Sequence, residues 1–335
     1  INPGQIIVET ILKILETPGV VSVAEFADGE VLLREFDVPE NAPIANKSIQ
    51  DIRSITQMDS FLIVAIVRDG ELVIPKDQDI IQAGDRFYTL VDKEFLPFLL
   101  PMLNRTMENV EKIIIYGATS TSIDLAKTLE ETMRDVCIIE PDREKAHRAA
   151  DKLERTLVQH GSGTDMDLFN EINMKDADFF LALSHDDENN ILSALLAKKH
   201  GAKRALVITH DPEYLPILDS IGMDITINPR LIAVSSILKH LRKGQVMSVF
   251  KLIEDAEVME IGVTENSSIV NKKIGKIKFP KDALIGALLR KGEMLLPNDD
   301  VTLEAGDSVI VVALPGTIEK IEKLFDRKRS FLPFR

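Results

Sequence analysis

An internal repeat constrains the fold of this chain more than any other feature of its sequence. The stretch RDGELVIPKDQDIIQAGDRFYTLV at 68–91 is matched by RKGEMLLPNDDVTLEAGDSVIVVA at 290–313, which places Gly70 and Gly292 222 residues apart. Both copies show short alternating strand patterns separated by glycine-containing turns. Because a repeat of this kind encodes one structural unit twice, the sequence predicts two related small α+β domains.

The repeat continues upstream, but its layout is uneven. NKSI at 46 matches NKKI at 271, and INP at 1 matches INP at 227. In the second copy INP closes a long α/β segment, whereas in the first copy it is the start of the sequence. We expect a parent with two complete copies whose first α/β segment is missing here, and a genuinely shorter protein is the alternative.

This layout predicts six segments along the chain. Apolar-striped helices are expected at 4–16 and 230–244, where they either pack within their own domain or cross to a partner subunit. The segments are a crossover-type helix left from the missing α/β domain (1–22), a first small domain (23–100), a linker (101–110), the α/β domain (111–244), a second small domain (245–326) and a tail (327–335).

Residues 111–244 alternate between apolar, β-branched strands and helix-like stretches. This alternation predicts a parallel sheet with helices on both faces, in a doubly wound, Rossmann-type fold. A helix is expected over 187–200, with its apolar residues Ile191, Leu192, Leu195 and Leu196 on one face. The predicted strands are KIIIY (112–116), VCIIE (136–140), TLVQH (156–160), DFFLALS (178–184), ALVITH (205–210) and DITI (224–227).

The turn after the first of these strands stands where a dinucleotide-binding protein carries G-x-G-x-x-G. The glycines of that motif permit the tight turn, the approach of the pyrophosphate, and the packing of helix on strand. Here the three positions read Gly117, Thr119 and Ser122. Gly117 keeps the turn and Ser122 is small, but the β-branched Thr119 is expected to weaken pyrophosphate contact. The helix N-terminus still offers N–H groups to an anion, and the hydroxyls of Thr119, Ser120 and Thr121 add donors.

Glu140 ends the second predicted strand, 23 residues beyond Gly117. A carboxylate at this place grips a ribose diol and favours an unphosphorylated 2′-hydroxyl. A solvated acid at a strand end is the alternative interpretation. The segment therefore has the fold of a nucleotide binder, and nucleotide contact at this edge is a hypothesis.

The run SHDDENN at 184–190 follows the fourth predicted strand, at the edge where α/β sheets place ligands. His185, Asp186 and Asp187 are candidate metal ligands, but acids that complement a helix N-terminus are the favoured interpretation. The sequence has no G-x-S-x-G motif, no HxxxH pair and no paired-carboxylate signature. We therefore expect no enzyme. An NAD-dependent oxidoreductase and a purely structural oligomerisation module are the alternatives.

Composition narrows the range of partners and compartments. The 335 residues include 54 acidic and 40 basic side chains, and a net charge of −14 argues against a nucleic-acid partner. No apolar run reaches the roughly 18 residues that cross a membrane, so we expect a soluble, cytoplasmic protein. The single cysteine, Cys137, excludes an internal disulfide and is predicted to lie in the core.

Several separated motifs, taken in order, resemble a known family. They are GATSTS at 117–122, IIEPD at 138–142, HGSGTD at 160–165, DDENNILSALLAKKHGAKRA at 186–205, DPEYLPILDSIGMDITINPRLIAVSSIL at 211–238 and AGDSVIVV at 305–312. Over essentially residues 1–326 the chain resembles the TrkA family of regulatory subunits of Trk potassium-uptake systems. Its members are built from RCK (KTN) domains, each with a Rossmann N-lobe and a small C-lobe. The resemblance implies that 111–244 is a second N-lobe and that the small domains are C-lobes.

The resemblance also implies a function. TrkA-like proteins form rings beneath a membrane potassium-translocating subunit such as TrkH, where NAD(H), ATP or ADP bound to the N-lobes changes ring shape and gates transport. A homo-oligomer would form through the crossover helix after NPR, at the inner face of the cell membrane. The implied nucleotide-facing residues are Gly117, Ala118, Thr119, Ser120, Thr121, Glu140, Gly161, Asp165, Ser184 and Asn190, with no catalytic residue and no metal ligand.

Three positions depart from the family pattern. Thr119 replaces the second glycine of the loop, Ser162 replaces the acid of an HGD motif, and Ile208 replaces a phosphate-facing arginine after the fifth strand. Together they imply that nucleotide binding in this N-lobe is weak or absent, the lobe then being structural.

Overall fold

The computed structural model describes residues 3–56, 61–106, 109–132, 134–234, 246–252 and 256–325. Two compact units divide the chain between them. Residues 1–17 and 108–234 form the first, termed the α/β unit, and residues 18–107 and 235–335 form the second, termed the paired-lobe unit. The parallel sheet of the first and the antiparallel sheets of the second confirm the expected fold class.

The first small lobe is built on an antiparallel sheet of five strands in the order β1-β2-β7-β4-β5, with β3 paired to β6 beside it. Tight turns at Gly70 and Gly84 have positive φ angles of 84° and 87°, a region that glycine enters without strain. The elements to this point are α1 (Pro3–Glu16), β1 (Val20–Phe26), β2 (Val31–Asp37), β3 (Lys47–Ser48), α2 (Ile49–Thr56), β4 (Phe61–Arg68), β5 (Glu71–Val73), β6 (Ile80–Ile81), β7 (Arg86–Asp92) and α3 (Leu96–Leu99).

The α/β unit holds a six-stranded sheet whose described pairings are all parallel, in the order β10-β9-β8-β11-β12-β13. Ile113, Ile114 and Ile115 are fully buried, because parallel strands are covered on both faces. The elements are β8 (Lys112–Tyr116), α4 (Ser120–Glu131), β9 (Asp135–Glu140), α5 (Arg143–Ala150), β10 (Leu157–His160), α6 (Met166–Glu171), β11 (Phe179–Ala182), α7 (Asp187–Lys199), β12 (Arg204–Ile208), α8 (Leu215–Ser220) and β13 (Ile225–Ile227).

The second small lobe repeats the first, with sheet order β14-β15-β18-β16-β17. Both sheets place the strand after the AGD turn at their centre. The elements are β14 (Val246–Lys251), β15 (Glu257–Gly262), β16 (Ala283–Arg290), β17 (Glu293–Leu295), β18 (Ser308–Ala313) and α9 (Ile318–Phe325).

Helix α1 belongs to the α/β unit and lies against α4. Ile7, Ile11 and Ile14 form its buried face, as the apolar stripe predicts. Its counterpart in the repeat begins at Pro229, and residues 229–234 are helical. The rest of the helix predicted at 230–244 lies outside the described residues, as does the tail.

The predicted apolar face of α7 is correct for Ile191 and Leu196, which pack against the core, and wrong for Leu192 and Leu195. Leu192 and Leu195 are 48% and 38% exposed, whereas Ala194 and Ala197 are fully buried against the sheet. Small side chains let a helix lie close to the strands beneath it, and the larger leucines are then left on the outer side. The sequence pattern ranks residues by hydrophobicity and cannot register this closeness of approach.

Cys137 lies in the core of β9, as predicted, with 5% of its surface exposed. Burial, reinforced by the charge of Asp135, raises the pKa of the Cys137 thiol to about 12. None of the helices that the structure describes is both long enough and apolar enough to span a bilayer.

Candidate functional site

The candidate site lies at the carboxyl edge of the parallel sheet, where β8 and β11 are neighbours. The chain leaves β8 toward β9 on one side and reaches β12 from β11 on the other, which is a topological switch point. Gly117 has a φ of 94°, and a Cβ there would stand 2.7 Å from the Cα of Ser184. Glycine is therefore required both by the turn and by the close passage of the loop after β11.

Glu140 joins the loop after β8 to the start of α5. Its Oε2 accepts a hydrogen bond of 2.6 Å from the N–H of Ala118, and its Oε1 accepts one of 2.9 Å from the N–H of Asp142. The residue is only 5% exposed. Each carboxylate oxygen has two lone pairs, so each keeps one acceptor position for a ligand hydroxyl.

Thr119 is the N-cap residue of α4. It therefore carries a side chain at the position where a glycine would leave the backbone open to a phosphate. Its Oγ1 accepts a 3.1 Å hydrogen bond from the N–H of Ser122 and lies 2.8 Å from the Ser122 hydroxyl, which is fully buried. The hydroxyl is thus directed into the lobe. The N–H groups of Ser120 and Thr121 stand in the first helical turn, where no intrahelical acceptor exists.

The loop after β10 covers the end of β8. A Cβ at Gly163 would stand 2.6 Å from the ring of Tyr116, so only a glycine lets this loop cross the ring. Burial, with smaller effects from the Asp186 and Glu140 carboxylates, raises the pKa of Tyr116. Gly161 donates its N–H to the carbonyl of Glu140 at 3.0 Å.

Asp165 is exposed and caps α6. Its Oδ1 accepts hydrogen bonds from the N–H groups of Asp167 and Leu168 at 2.9 and 3.3 Å. The structure thus uses its carboxylate as a helix cap, with Ser162 and Thr164 joined through their hydroxyls at 2.9 Å beside it.

Asn190 locks the loop after β11 to the end of β12. Its Oδ1 accepts from the N–H and the hydroxyl of Ser184 at 3.0 and 2.7 Å, and its Nδ2 donates to the carbonyls of Ser184 and Ile208 at 2.9 and 3.0 Å. These four hydrogen bonds occupy both atoms of the Asn190 amide, and the residue is fully buried. Ser184 is held in place as a result. Ile208, which stands where the family pattern has a phosphate-facing arginine, is 3% exposed and therefore buried.

Asp187 makes four polar contacts at this edge, and its connecting role is not evident from the sequence. Its Oδ2 accepts from the Thr209 hydroxyl, the His210 N–H and the Asp211 N–H at 3.0, 2.8 and 3.0 Å. Its Oδ1 lies 2.9 Å from His210 Nδ1. Burial alone would raise the pKa of Asp187, but these hydrogen bonds, chiefly that from His210, lower it overall.

The metal interpretation of SHDDENN finds no support within the described residues, where no group of three His, Cys, Asp or Glu side chains could hold an ion. Asp186 instead caps α7, accepting from the N–H of Asn189 at 2.9 Å. The rings of His185 and His210 lie 5.9 Å apart. The geometry supports the helix-terminus interpretation for Asp186, whereas Asp187 holds the segment that follows β12.

The structure brings the loops after β8, β10 and β11 together over the sheet edge. These loops, at 117–122, 161–165 and 184–190, contain no lysine or arginine. Glu140 places a buried carboxylate at this edge, and the start of α4 adds backbone N–H groups and hydroxyls. These three loops would therefore offer a phosphate dipoles and no basic side chain.

Models of known protein families match both the α/β unit and the two small lobes. The TrkA-N domain model matches residues 113–229, and the TrkA-C domain model matches twice, at 33–94 and 258–326. The chain is 32% identical to the Trk system potassium uptake protein TrkA of Halomonas elongata, over 99% of this chain and 73% of that protein. It belongs to the TrkA family. The TrkA of Haemophilus influenzae is 31% identical, over 99% of this chain and 73% of that protein.

Solved structures show the same fold as this TrkA-family chain. The GsuK RCK domain superposes with a TM-score of 0.53 at 17% identity, covering 96% of this chain and 70% of that one. The GsuK channel bound to NAD superposes with a TM-score of 0.51 at 17% identity, covering 95% and 57%. The sequence-based resemblance to RCK-containing TrkA proteins is confirmed.

Proposed function

We propose that this chain is a non-enzymatic, nucleotide-sensing regulatory subunit that gates potassium transport through a membrane subunit of the TrkH kind. Membership of the TrkA family supports the role in potassium transport, because the relatives carry the name Trk system potassium uptake protein. The observation that carries the sensing role is Glu140, whose buried carboxylate bonds to the N–H of Ala118 at the switch point of the sheet. The chain would act at the cytoplasmic face of the membrane.

The proposed ligand is NAD(H), or an adenine nucleotide such as ATP or ADP. A ribose diol would donate to the Glu140 carboxylate, and the phosphates would lie at the N-terminus of α4. A related fold is named as a channel bound to NAD, which favours the dinucleotide. The family resemblance implies ten contact residues, of which Asn190 is fully buried and bonded to Ser184 and Ile208. The proposed contact set is the other nine: Gly117, Ala118, Thr119, Ser120, Thr121, Glu140, Gly161, Asp165 and Ser184.

Signalling would begin with the additional hydrogen bond that a ligand makes to Glu140. A ribose hydroxyl that donates to the carboxylate changes its bonds to the N–H groups of Ala118 and Asp142, and so alters how the loop is held to the start of α5. A ligand transmits to its partner only the difference between its affinities for two conformations. Couplings of this kind are typically about 1–3 kcal/mol.

Assembly would use the helix that begins at Pro229. Leu231 and Val234, in its described part, are 39% and 38% exposed. The equivalent helix α1 buries Ile11 against α4, which shows that such a helix suits the surface of a Rossmann lobe. We propose that residues 229–234 pack on the N-lobe of another copy, giving a homo-oligomer, and that α1 derives from a first N-lobe.

Potassium flux in proteoliposomes, with the chain added to its membrane subunit, tests the proposal. The flux should depend on NADH, ADP or ATP, and E140Q should reduce that dependence. E130Q is the matched control, because Glu130 also accepts backbone N–H bonds, from Glu154, Arg155 and Thr156, at the other end of α4. A flux that ignores nucleotide would contradict the sensing role, and turnover of NADH would favour an oxidoreductase.

A further inference from the structure

The two small lobes of the paired-lobe unit share one hydrophobic core. A single cluster of buried residues draws Leu33, Val64 and Leu90 from the first lobe and Val258 and Ile310 from the second. Strands β4 and β16 meet within it. We call this cluster the seam between the lobes. It is bordered by a hydrogen bond of 3.2 Å from the N–H of Ala27 to Oε2 of Glu260.

At one pair of equivalent positions in the seam, the first lobe carries a side chain and the second lobe carries none. Strand β4 has an irregular register between Ile63 and Ala65, and β16 has the same irregularity between Ile285 and Ala287. The intervening residue is valine in the first lobe, at position 64, and glycine in the second, at position 286.

These two equivalent residues face each other. A Cβ placed on Gly286 would stand 3.1 Å from Cγ1 of Val64 and would collide with Cδ1 of Leu90. The φ of Gly286 lies outside the positive range that favours glycine, so its backbone does not require glycine. The neighbouring side chains do, because Val64 and Leu90 are fully buried and occupy the space.

The same inequality extends to other equivalent positions of the seam, where the first lobe carries the bulkier residue. Two pairs show the opposite inequality, Val67 and Leu289 within the cluster and the partly buried Ala24 and Phe250 against it, so the inequality holds for most of the buried pairs and not for every pair. The equivalent positions with the bulkier first-lobe residue include Leu33 and Val258, Tyr88 and Ile310, and Leu90 and Val312. Protein interiors are close-packed, so two such unequal surfaces fill the seam only when one of each is present.

We propose that Val64 and Gly286 determine the specificity of this interface, so that a first lobe fits a second lobe and rejects another first lobe. Two first lobes would set Val64 against Val64 and overfill the seam, whereas two second lobes would leave a void opposite Gly286. Copies of this chain are thereby directed to assemble through surfaces other than the seam. This specificity does not depend on nucleotide binding.

Variants of the full chain reproduce each mismatched contact. G286V places valine on both sides, as two first lobes would, and V64G places glycine on both sides, as two second lobes would. Each is expected to lower the Tm of the paired-lobe unit by about 5 °C or more. The exchanged variant V64G/G286V restores one valine and one glycine, and should recover about half of the summed loss or more.

The matched control is V23G/G286V, in which the deleted side chain is buried in the first lobe but is not part of the seam cluster. Its two losses of Tm should add, because the sites share no contact. If a single variant does not fold, V64A and G286A complete the same cycle with smaller changes. Additive losses in V64G/G286V, or a G286V variant with an unaltered Tm, would overturn the proposal.

Discussion

Arg68 and Asp85 form a forked ion pair in the first small lobe, with Arg68 Nε 2.8 Å from Asp85 Oδ1 and Nη2 2.7 Å from Oδ2. Arg290 and Asp307 repeat the pair in the second lobe at 2.9 and 2.8 Å. Each carboxylate is buried, at 3% and 2% side-chain exposure. The sequence repeat therefore contains the same ion pair twice. In each lobe the pair holds the end of one strand, β4 or β16, to the turn before the central strand.

Removing either carboxylate should destabilise the paired-lobe unit. D85A leaves the Arg68 guanidinium and the N–H of Gln82 without their buried acceptor, which should cost about 2–3 kcal/mol, and D307A should cost a similar amount. Urea unfolding measures both. The exposed pair Arg53 and Asp77 is the control, and R53A should cost under about 1 kcal/mol. Equal losses in D85A and R53A would argue against this role.

Helix α1 should be an integral part of the α/β unit. Ile11 is fully buried where α1 meets α4, so I11A should cost about 2–4 kcal/mol through the cavity that it leaves. Hydrogen exchange in α4 should quicken in the same variant. E9A, on the exposed side of α1, should change neither quantity. Undisturbed exchange in α4 of I11A would mean that the two helices do not depend on each other.

Asp187 should make the free energy of unfolding depend on pH. Its pKa in the folded protein is lowered below the ordinary 3.8, the hydrogen bonds from His210, Asp211 and Thr209 together outweighing the opposing effect of burial. A lowered folded pKa means that the carboxylate stabilises fully above its unfolded pKa of about 3.9 and loses this effect as the pH falls through the folded value. D187N should therefore show a flatter loss of unfolding free energy below about pH 4. Parallel curves for D187N and wild type would refute the assignment.

Cys137 should be chemically silent in the folded protein. With its pKa raised to about 12 and 5% exposure, the thiol carries almost no thiolate at neutral pH. Reaction with a thiol-specific chromogenic reagent should proceed only as the chain unfolds, and its rate should rise with urea. Full labelling of the native protein within the dead time of mixing would show that β9 is more open than described.

The repeat and the kind of sheet in each domain could be read from the sequence, because both depend on periodic patterns. The position of Glu140 could also be predicted, because it follows from a fixed spacing after Gly117. The sequence did not predict that Ala194 and Ala197, rather than Leu192 and Leu195, face the sheet, since closeness of approach is a tertiary property. The Asp187 contacts were missed for the same reason. Their partners follow β12, twenty-two or more residues away, and the polar pair Thr209 and His210 at the end of an apolar strand was the signal.

The seam between the two small lobes could not be predicted from the sequence either. The repeat alone shows that Val64 and Gly286 are equivalent, but only the structure shows that equivalent positions of the two lobes meet. A glycine inside a strand pattern indicates either a bulge or the close approach of another group, and Gly286 proves to be both.

Isothermal calorimetry of the purified chain with NADH, ADP and ATP tests the central claim, that the cleft above Gly117 holds a nucleotide through Glu140. We predict saturable binding at a single site, weakened roughly tenfold in E140Q by the loss of a charged acceptor and unaltered in E130Q. Absence of binding by all three nucleotides, or equal affinities for wild type and E140Q, would contradict it.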